Sequence, residues 1–308
     1  MIKKIVSLLT LIIGVTIITF VLLSLTEADP AEVYARRIYI NPTQEEINSI
    51  RLELGYDQPL YQQYFNYLVK LGKGDLGKSL VTNNRVIKDI CLTLKETLKL
   101  IGCSCVWIIT LTIFLACLAV KFRNRFVDHL VRLFVILGIS VPSFWLGFIF
   151  LYVFAVNLKI FNVMDFGTLK GLILPSLTLA IPTTATLVRL LRSNMLSEIN
   201  KDYFIFARAS GKSESKIIFS SVLKNSLPPV ITLFFQNIGL MIGGSAIVES
   251  VFSWPGLGMY LLNAIMQLDL PAISGCVLII SLIFIACNSL ASIINKLLMP
   301  KLSMQGVK

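Results

Sequence analysis

Long apolar runs alternate with charged segments along the whole chain, and six of the runs are wide enough to cross a bilayer. A hydrocarbon core of about 30 Å takes about 20 residues at 1.5 Å each in an α-helix. The runs extend from Ile5 to Leu25, Leu98 to Val120, Leu133 to Val156, Leu172 to Leu191, Val230 to Val248 and Ile273 to Ile294. This pattern predicts an all-α, polytopic membrane protein of six transmembrane helices, kinked where Pro142, Pro175 and Pro182 open or interrupt a run. The first run follows Lys3 and Lys4 as a secretory signal would, but it is longer than a signal core and no small-residue cleavage site stands out. It reads as a retained anchor.

The polar intervals divide the chain into a first membrane helix over 1–25, a large extracytoplasmic loop region over 26–97 and a five-helix core over 98–308 with a long cytoplasmic loop at 193–227. In the extracytoplasmic region, Glu45 to Leu54 repeats apolar residues at helical spacing, and Gly55 ends that helix. A second amphipathic run, Tyr61 to Leu71, follows the Asp57-Gln58-Pro59 turn. Two readings of it stay open: packing on the outer mouth of a pore, or covering helix ends. The 193–227 loop reads as two short helices joined at Gly211, which suits a left-handed cap, with Asp202 early in the first helix and Ser213 as N-cap of the second. Around the junction Ala207, Ala209, Ser210 and Gly211 leave little bulk and Arg208 is the one strong handle, the make-up of a docking knob. The competing reading is a solvated loop with incidental alanines.

Orientation follows from the short loops. If the helices alternate, Lys3, Lys4, Lys121, Arg123, Arg125, Arg192, Lys201, Arg208, Lys212, Lys216, Lys224, Lys296, Lys301 and Lys308 share one side, against Lys159 and Lys170 on the other. Fourteen basic residues against two place both termini in the cytoplasm. The 26–97 interval is too long to obey the rule and falls outside.

Composition agrees: among 308 residues 56% are hydrophobic and 15% charged, with mean hydropathy +0.79, where soluble domains carry about 25% charged residues. The net charge of +11 reports membrane orientation rather than nucleic-acid binding, since no basic stripe carries interleaved aromatics. The six cysteines lack zinc-site spacing and the single histidine, His129, sits in a basic loop, so no metal site or bound cofactor is expected. Gly72-Lys73-Gly74-Asp75-Leu76-Gly77-Lys78-Ser79 matches the phosphate-loop pattern G-x-x-x-x-G-K-[ST]. A working phosphate loop needs a strand feeding it and a helix leaving it; here an amphipathic helix precedes it and the loop faces away from cytoplasmic ATP, so its glycines read as turn residues. None of the six runs has Asp or Glu in its interior; Glu249 lies at an outer end, and Gln236, Asn237 and Asn288 are uncharged. An ion-coupled secondary transporter needs ionisable groups at membrane depth, and a non-transporting scaffold needs no docking loop. The driving energy is therefore expected from another subunit.

These residues resemble a known family over nearly the whole chain: the B-type permease subunit of ABC importers for peptides and nickel. The resemblance rests on Asp29-Pro30-Ala31, Leu54-Gly55-Tyr56-Asp57-Gln58-Pro59-Leu60, Gly74 to Ser79, Ser140-Val141-Pro142-Ser143-Phe144-Trp145-Leu146-Gly147, Tyr203 to Gly211 with Asn225 and Pro229, and Glu249 to Gly258. It departs at Met299, before Pro300-Lys301, and at Ser292, where family tails carry acidic residues. It implies that Tyr203, Ala207, Arg208, Ala209, Gly211, Asn225 and Pro229 belong to the loop that engages an ATPase. Gln236, Asn237, Glu249, Trp254, Pro255 and Gly256 become candidates for the translocation path or its gate. It further implies a second permease subunit, two ATPase subunits that hold ATP and magnesium, an extracytoplasmic substrate-binding protein, and a bacterial inner or plasma membrane. The chain itself is then no enzyme. Asp29-Pro30-Ala31, Tyr34 to Pro42 and Asp57 to Tyr61 look nearer the nickel-type branch, which implies nickel or a nickel chelate as substrate, with di- or oligopeptides as the alternative.

The topology predicts that single cysteines at Gln44 or Asp269 of a cysteine-free chain react with an impermeant thiol reagent in intact cells. Those at Asn124 and Ser213 should react only after the membrane is opened, and outside labelling at Ser213 would overturn the topology.

Overall fold

The computed structural model describes residues 2–25, 29–163 and 166–298, with side chains from residue 10 onward. Met299, Pro300, Lys301 and Lys308 lie outside the described residues, as do the side chains of Lys3 and Lys4. The described elements are helical, with one isolated bridge pairing Lys78 and Arg85. Four helical stretches are long and apolar enough to cross a membrane: α5 (Val86–Lys121), α8 (Ile173–Ile199), Glu214–Val251 and α13 (Leu270–Leu298).

The third run, expected as one kinked span, is two helices, α6 (Phe126–Ser140) and α7 (Ser143–Phe150, prolonged by a π-helical turn over Leu151–Asn157), bent by 110°. Pro142 is the cause. Its ring crowds the residue before it out of helical geometry, and Val141 is extended at φ −83° and ψ 125°. A pair bent this far is a broken span or a re-entrant loop, and only as the former does it add a fifth crossing. The first helix, α1 (Ile2–Ser24), is apolar, but its portion over Thr10–Ser24 is shorter than a crossing. The described residues therefore hold four spans, or five with the bent pair, where the hydrophobic pattern predicts six.

The chain divides into two compact units, 1–96 with 255–283 and 97–254 with 284–308. In the first, α2 (Pro30–Ile38) and α3 (Gln44–Leu54) pack through Ala31, Ala35, Ile47 and Ile50. The Asp29-Pro30-Ala31 motif starts α2: Asp29 accepts from the Ala31 amide at 2.9 Å, Pro30 takes the first turn, and the second Asp29 oxygen binds Arg51 of α3. Thr43 and Glu46 cap α3 reciprocally, and Gly55 ends it at φ 74°. Leu76, Val86, Ile90, Leu257 and Ile273 form the main core of this unit. There α13 passes so close to α5 that a Cβ on Gly275 would lie 2.7 Å from Val86. Asp269, put forward above as an outer labelling position, is buried; its carboxylate accepts from the Ser79 hydroxyl at 2.5 Å and the Ala272 amide at 3.3 Å. Gln267, exposed two residues earlier, is the accessible substitute.

In the second unit α8 is the central helix, packed by α6, by α7 and by α11 (Leu223–Val251). A Cβ on Gly138 would lie 2.8 Å from that of Ala185, so the α6–α8 crossing needs glycine for its closeness. One turn into α6, fully buried Asp128 receives two hydrogen bonds of 2.8 Å from the Arg192 guanidinium of α8 and a third from the Asn124 amide at 3.2 Å. Charge, donors and the positive helix end all favour the carboxylate there.

Replacing Asp128 by Asn leaves Arg192 facing a neutral amide, a loss of about 3–5 kcal/mol for a broken buried pair. It should lower the thermal unfolding midpoint in detergent markedly. Arg132→Ala, which removes the exposed i,i+4 partner of the same carboxylate, should cost less than about 1 kcal/mol.

Candidate coupling and translocation site

The segment after α8 has the expected first short helix and glycine turn, but α8 runs on to Ile199 and the expected second short helix is the start of the continuous helical stretch Glu214–Val251; its surface differs as well. Short α9 (Asp202–Ala209) carries Asp202 in its first turn, and Phe204 is buried beneath it. Its end is closed by two bonds, Gly211 N–H to Arg208 C=O at 3.0 Å and Lys212 N–H to Ala207 C=O at 3.2 Å. That is the Schellman pattern, and it places Gly211 at φ 80°. A Cβ on Gly211 would meet nothing within 4 Å, so the demand for glycine comes from the backbone angle and not from crowding. Ser213 occupies the N-cap position of α10 (Glu214–Ile217), but its hydroxyl makes no capping bond.

Arg208, Ala209, Ser210 and Gly211 are exposed and Ala207 half-buried. The surface is not free of bulk, however: Phe206 is 75% exposed and Ile205 60%, both on α9. The sequence reading missed these two side chains. Their sign is the run Tyr203-Phe204-Ile205-Phe206, four large residues in an eight-residue helix that has room to bury only one side.

The base of the segment is held by a group that sequence reasoning also missed. Glu198, in the last turn of α8, accepts from the Tyr203 hydroxyl at 3.0 Å, pairs with Lys201, and is hydrogen-bonded by the Asn225 amide of α11, which also bonds Tyr203. Tyr203 and Asn225 thus meet at one carboxylate, and burial pushes the Tyr203 phenol above its ordinary value. Pro229 is half-buried in the second turn of α11. On the far side, Arg123 reaches Glu214 at 2.8 Å.

The path candidates do not form one cluster. Gln236 is exposed on α11, while Asn237 donates to the Leu233 carbonyl of its own helix at 2.8 Å. Glu249 lies 13 residues further along the same helix, about 20 Å away at 1.5 Å per residue. Although it sits near a helix end, Glu249 is fully buried, and one carboxylate oxygen accepts from Thr97 at 2.6 Å and from Ser245 at 2.9 Å. Trp254 is drawn to it through a 2.7 Å bond from its amide to the Glu249 carbonyl, and its ring stands edge-on to Phe166 at 4.9 Å. Pro255 is exposed and Gly256 buried at the start of α12 (Leu257–Met266), in the first unit.

The phosphate-loop look-alike has another use. It follows helix α4 (Leu60–Gly72) and no strand feeds it; Gly74 and Gly77 take φ of 73° and 81° as turn residues. The Ser79 hydroxyl, which a phosphate loop directs at magnesium, instead donates to Asp269 and accepts from the amides of Val81 and Thr82. Among the described residues no group of three or more His, Cys, Asp or Glu side chains gathers.

A multi-pass helical membrane protein with a capped, solvent-exposed segment between two long helices is the class these features define. Residues 108–304 match the family described as binding-protein-dependent transport system inner membrane component, and residues 1–101 match its N-terminal membrane component. The chain belongs to this family, whose members are the permease subunits of ABC importers. It is 33% identical over 299 residues to the glutathione transport system permease protein of Escherichia coli O6:H1, covering 97% of each chain. It is 35% identical over 309 residues to a Brucella suis biovar 1 protein designated a peptide permease, covering 96% of this chain and 95% of that one. A chain of the MetNI methionine ABC transporter in inward-facing form shares the fold, with TM-score 0.51 and 17% identity over 68% of this chain and 97% of that one.

Lys78→Ala should leave ATP hydrolysis by the assembled transporter unchanged. Nucleotide binding by the purified chain that disappears with this substitution would contradict the turn assignment.

Proposed function

We propose that this chain is the permease subunit through which an ABC importer of a bacterial inner membrane carries short peptides or glutathione-like peptides. It crosses six times with both termini in the cytoplasm, and it pairs with a second permease. Two ATPase subunits bind and hydrolyse ATP, and an extracytoplasmic binding protein delivers the substrate. The full-length similarity to a glutathione permease and a peptide permease carries the substrate class. Neither of those relatives is named for nickel, which the motif resemblance favours, so peptides take precedence here.

Segment 200–213 is the proposed ATPase contact. Phe206 and Ile205 supply exposed apolar anchors, Arg208 a charge, and the Schellman turn a fixed shape. Aromatic and arginine side chains are enriched at protein interfaces. The Glu198–Tyr203–Asn225 cluster joins this segment to α8 and α11. A push on the segment is thereby passed to two long helices. Such a partner shifts the permease between states only through contacts that differ between them.

Gly211→Val places a β-branched residue at positive φ, which costs on the order of 1–3 kcal/mol. Uptake of radiolabelled dipeptide or glutathione in cells should be lost while the chain stays in the membrane fraction, and Gly211→Asn, which tolerates this angle, should retain much of it. Normal uptake and full ATPase copurification with Gly211→Val would refute the docking assignment. Uptake of radiolabelled nickel, uncompeted by peptides, would refute the substrate class.

A further inference from the structure

Helix α4 lies in the part of the chain assigned to the outside, yet it is half-clad in apolar side chains and none of its residues is buried. At 100° per residue Leu60, Tyr61, Tyr64, Phe65, Leu68 and Val69 share one half of the helix, and Gln62, Gln63, Asn66 and Lys70 the other. Only part of the apolar half is covered. Tyr64 stands on α1: its hydroxyl is 3.0 Å from that of Thr16 and its ring 5.3 Å from that of Phe20. The Thr16 hydroxyl donates to the Ile13 carbonyl at 2.9 Å, which leaves its oxygen to accept from Tyr64. The adjoining pair at i and i+4 is open, with Tyr61 71% and Phe65 65% exposed, while Val69, 42% exposed at i+8, borders a cleft.

The depth of the Tyr64 contact decides what covers that pair. Thr16 is eight residues before the end of α1 at Ser24, about 12 Å down the helix axis. Around it α1 exposes Ile13, Ile17 and Val21, an apolar flank suited to acyl chains. A helix standing beside that flank at that depth borders the same medium. The polar half of α4 is separately provided for: Gln63, Asn66 and Lys70, with Val69 at the margin, line a cleft of about 760 Å³ within the same unit, and Gln63 and Asn66 bond to Gln58 at 2.7 and 2.9 Å. Tyrosines beside aliphatic side chains, with Lys70 and Lys73 at the helix end, are the composition of a helix lying in a bilayer interface.

We propose that α4 is an interfacial membrane helix whose Tyr61 and Phe65 insert among lipid chains of the outer leaflet, beside α1. The inference rests on α1 crossing the membrane. This side of α4 turns toward lipid, while its polar half borders the cleft.

The test uses the full cysteine-free chain in nanodiscs of phosphatidylethanolamine and phosphatidylglycerol, with bimane attached at Phe65→Cys or, one turn earlier, Tyr61→Cys. Bimane at Ile18→Cys reports α1 and at Asn66→Cys the polar half of α4. Labels at 61 and 65 should lose fluorescence to nitroxide-bearing lipid as the label at 18 does and resist aqueous iodide, which should quench the label at 66. Iodide quenching at 61 and 65 to the level of 66 overturns the proposal, and so does protection from both quenchers, which would mean that protein covers these residues. Absence of lipid quenching at 18 overturns the α1 span and the proposal together, whereas quenching at 18 without quenching at 61 and 65 overturns the proposal alone.

Discussion

A carboxylate with no exposed surface, Asp128, is gripped in two places by Arg192, and the cytoplasm-facing end of the permease core in our reading depends on that grip. Ionised groups are not left unpaired in a protein interior, because desolvation costs several kcal/mol per ion. The pair therefore locks α6 to α8 at one relative height. Seven residues beyond Arg192, α8 ends and the segment carrying α9 begins. Glu198, nearly two turns later, continues the same logic by gathering Lys201, Tyr203 and Asn225. Two carboxylates thus join α6, α8, α9 and α11 at their common end, and the short exposed α9 is fixed to long helices.

Much of this was legible in the sequence, and what was missed has a common cause. Apolar runs located the long helices because lipid and core both demand apolar side chains. For the same reason the runs could not distinguish a side chain facing lipid from one facing protein, and the placement of Phe206, Glu249 or the apolar side of α4 stayed open. Local backbone chemistry read well at Gly55 and Gly211, which take the left-handed angles that end helices, while the Asp29 and Thr43 caps that begin α2 and α3 went unread. The phosphate-loop pattern was discounted on the helical periodicity of its preceding residues, and a helix, α4, does precede it. Pro142 announced a disturbance, but a kink and a 110° turn begin with the same residue and differ in tertiary packing. Asp128 and Arg192 are 64 positions apart, a pairing that no local pattern carries.

Membership of the importer permease family and the geometry of the 200–213 segment support the proposed mechanism, which needs no covalent chemistry in this chain. In that proposal a peptide is delivered from outside, an ATPase pair closing on ATP meets Phe206, Arg208 and the Gly211 turn, and the long helices carry the displacement. The buried Glu249–Thr97–Ser245 cluster ties one end of α11 by polar contacts where apolar packing alone would slide.

The measurement that bears most directly on this account is photo-crosslinking from position 206. With a benzophenone amino acid in place of Phe206 in membranes of cells expressing the whole transporter, irradiation should join this chain to an ATPase subunit, identified by mass spectrometry. The yield should change when ATP is trapped in the complex. Adducts with lipid or with unrelated proteins alone, at a yield indifferent to nucleotide, would contradict the assignment of this segment as the ATPase contact.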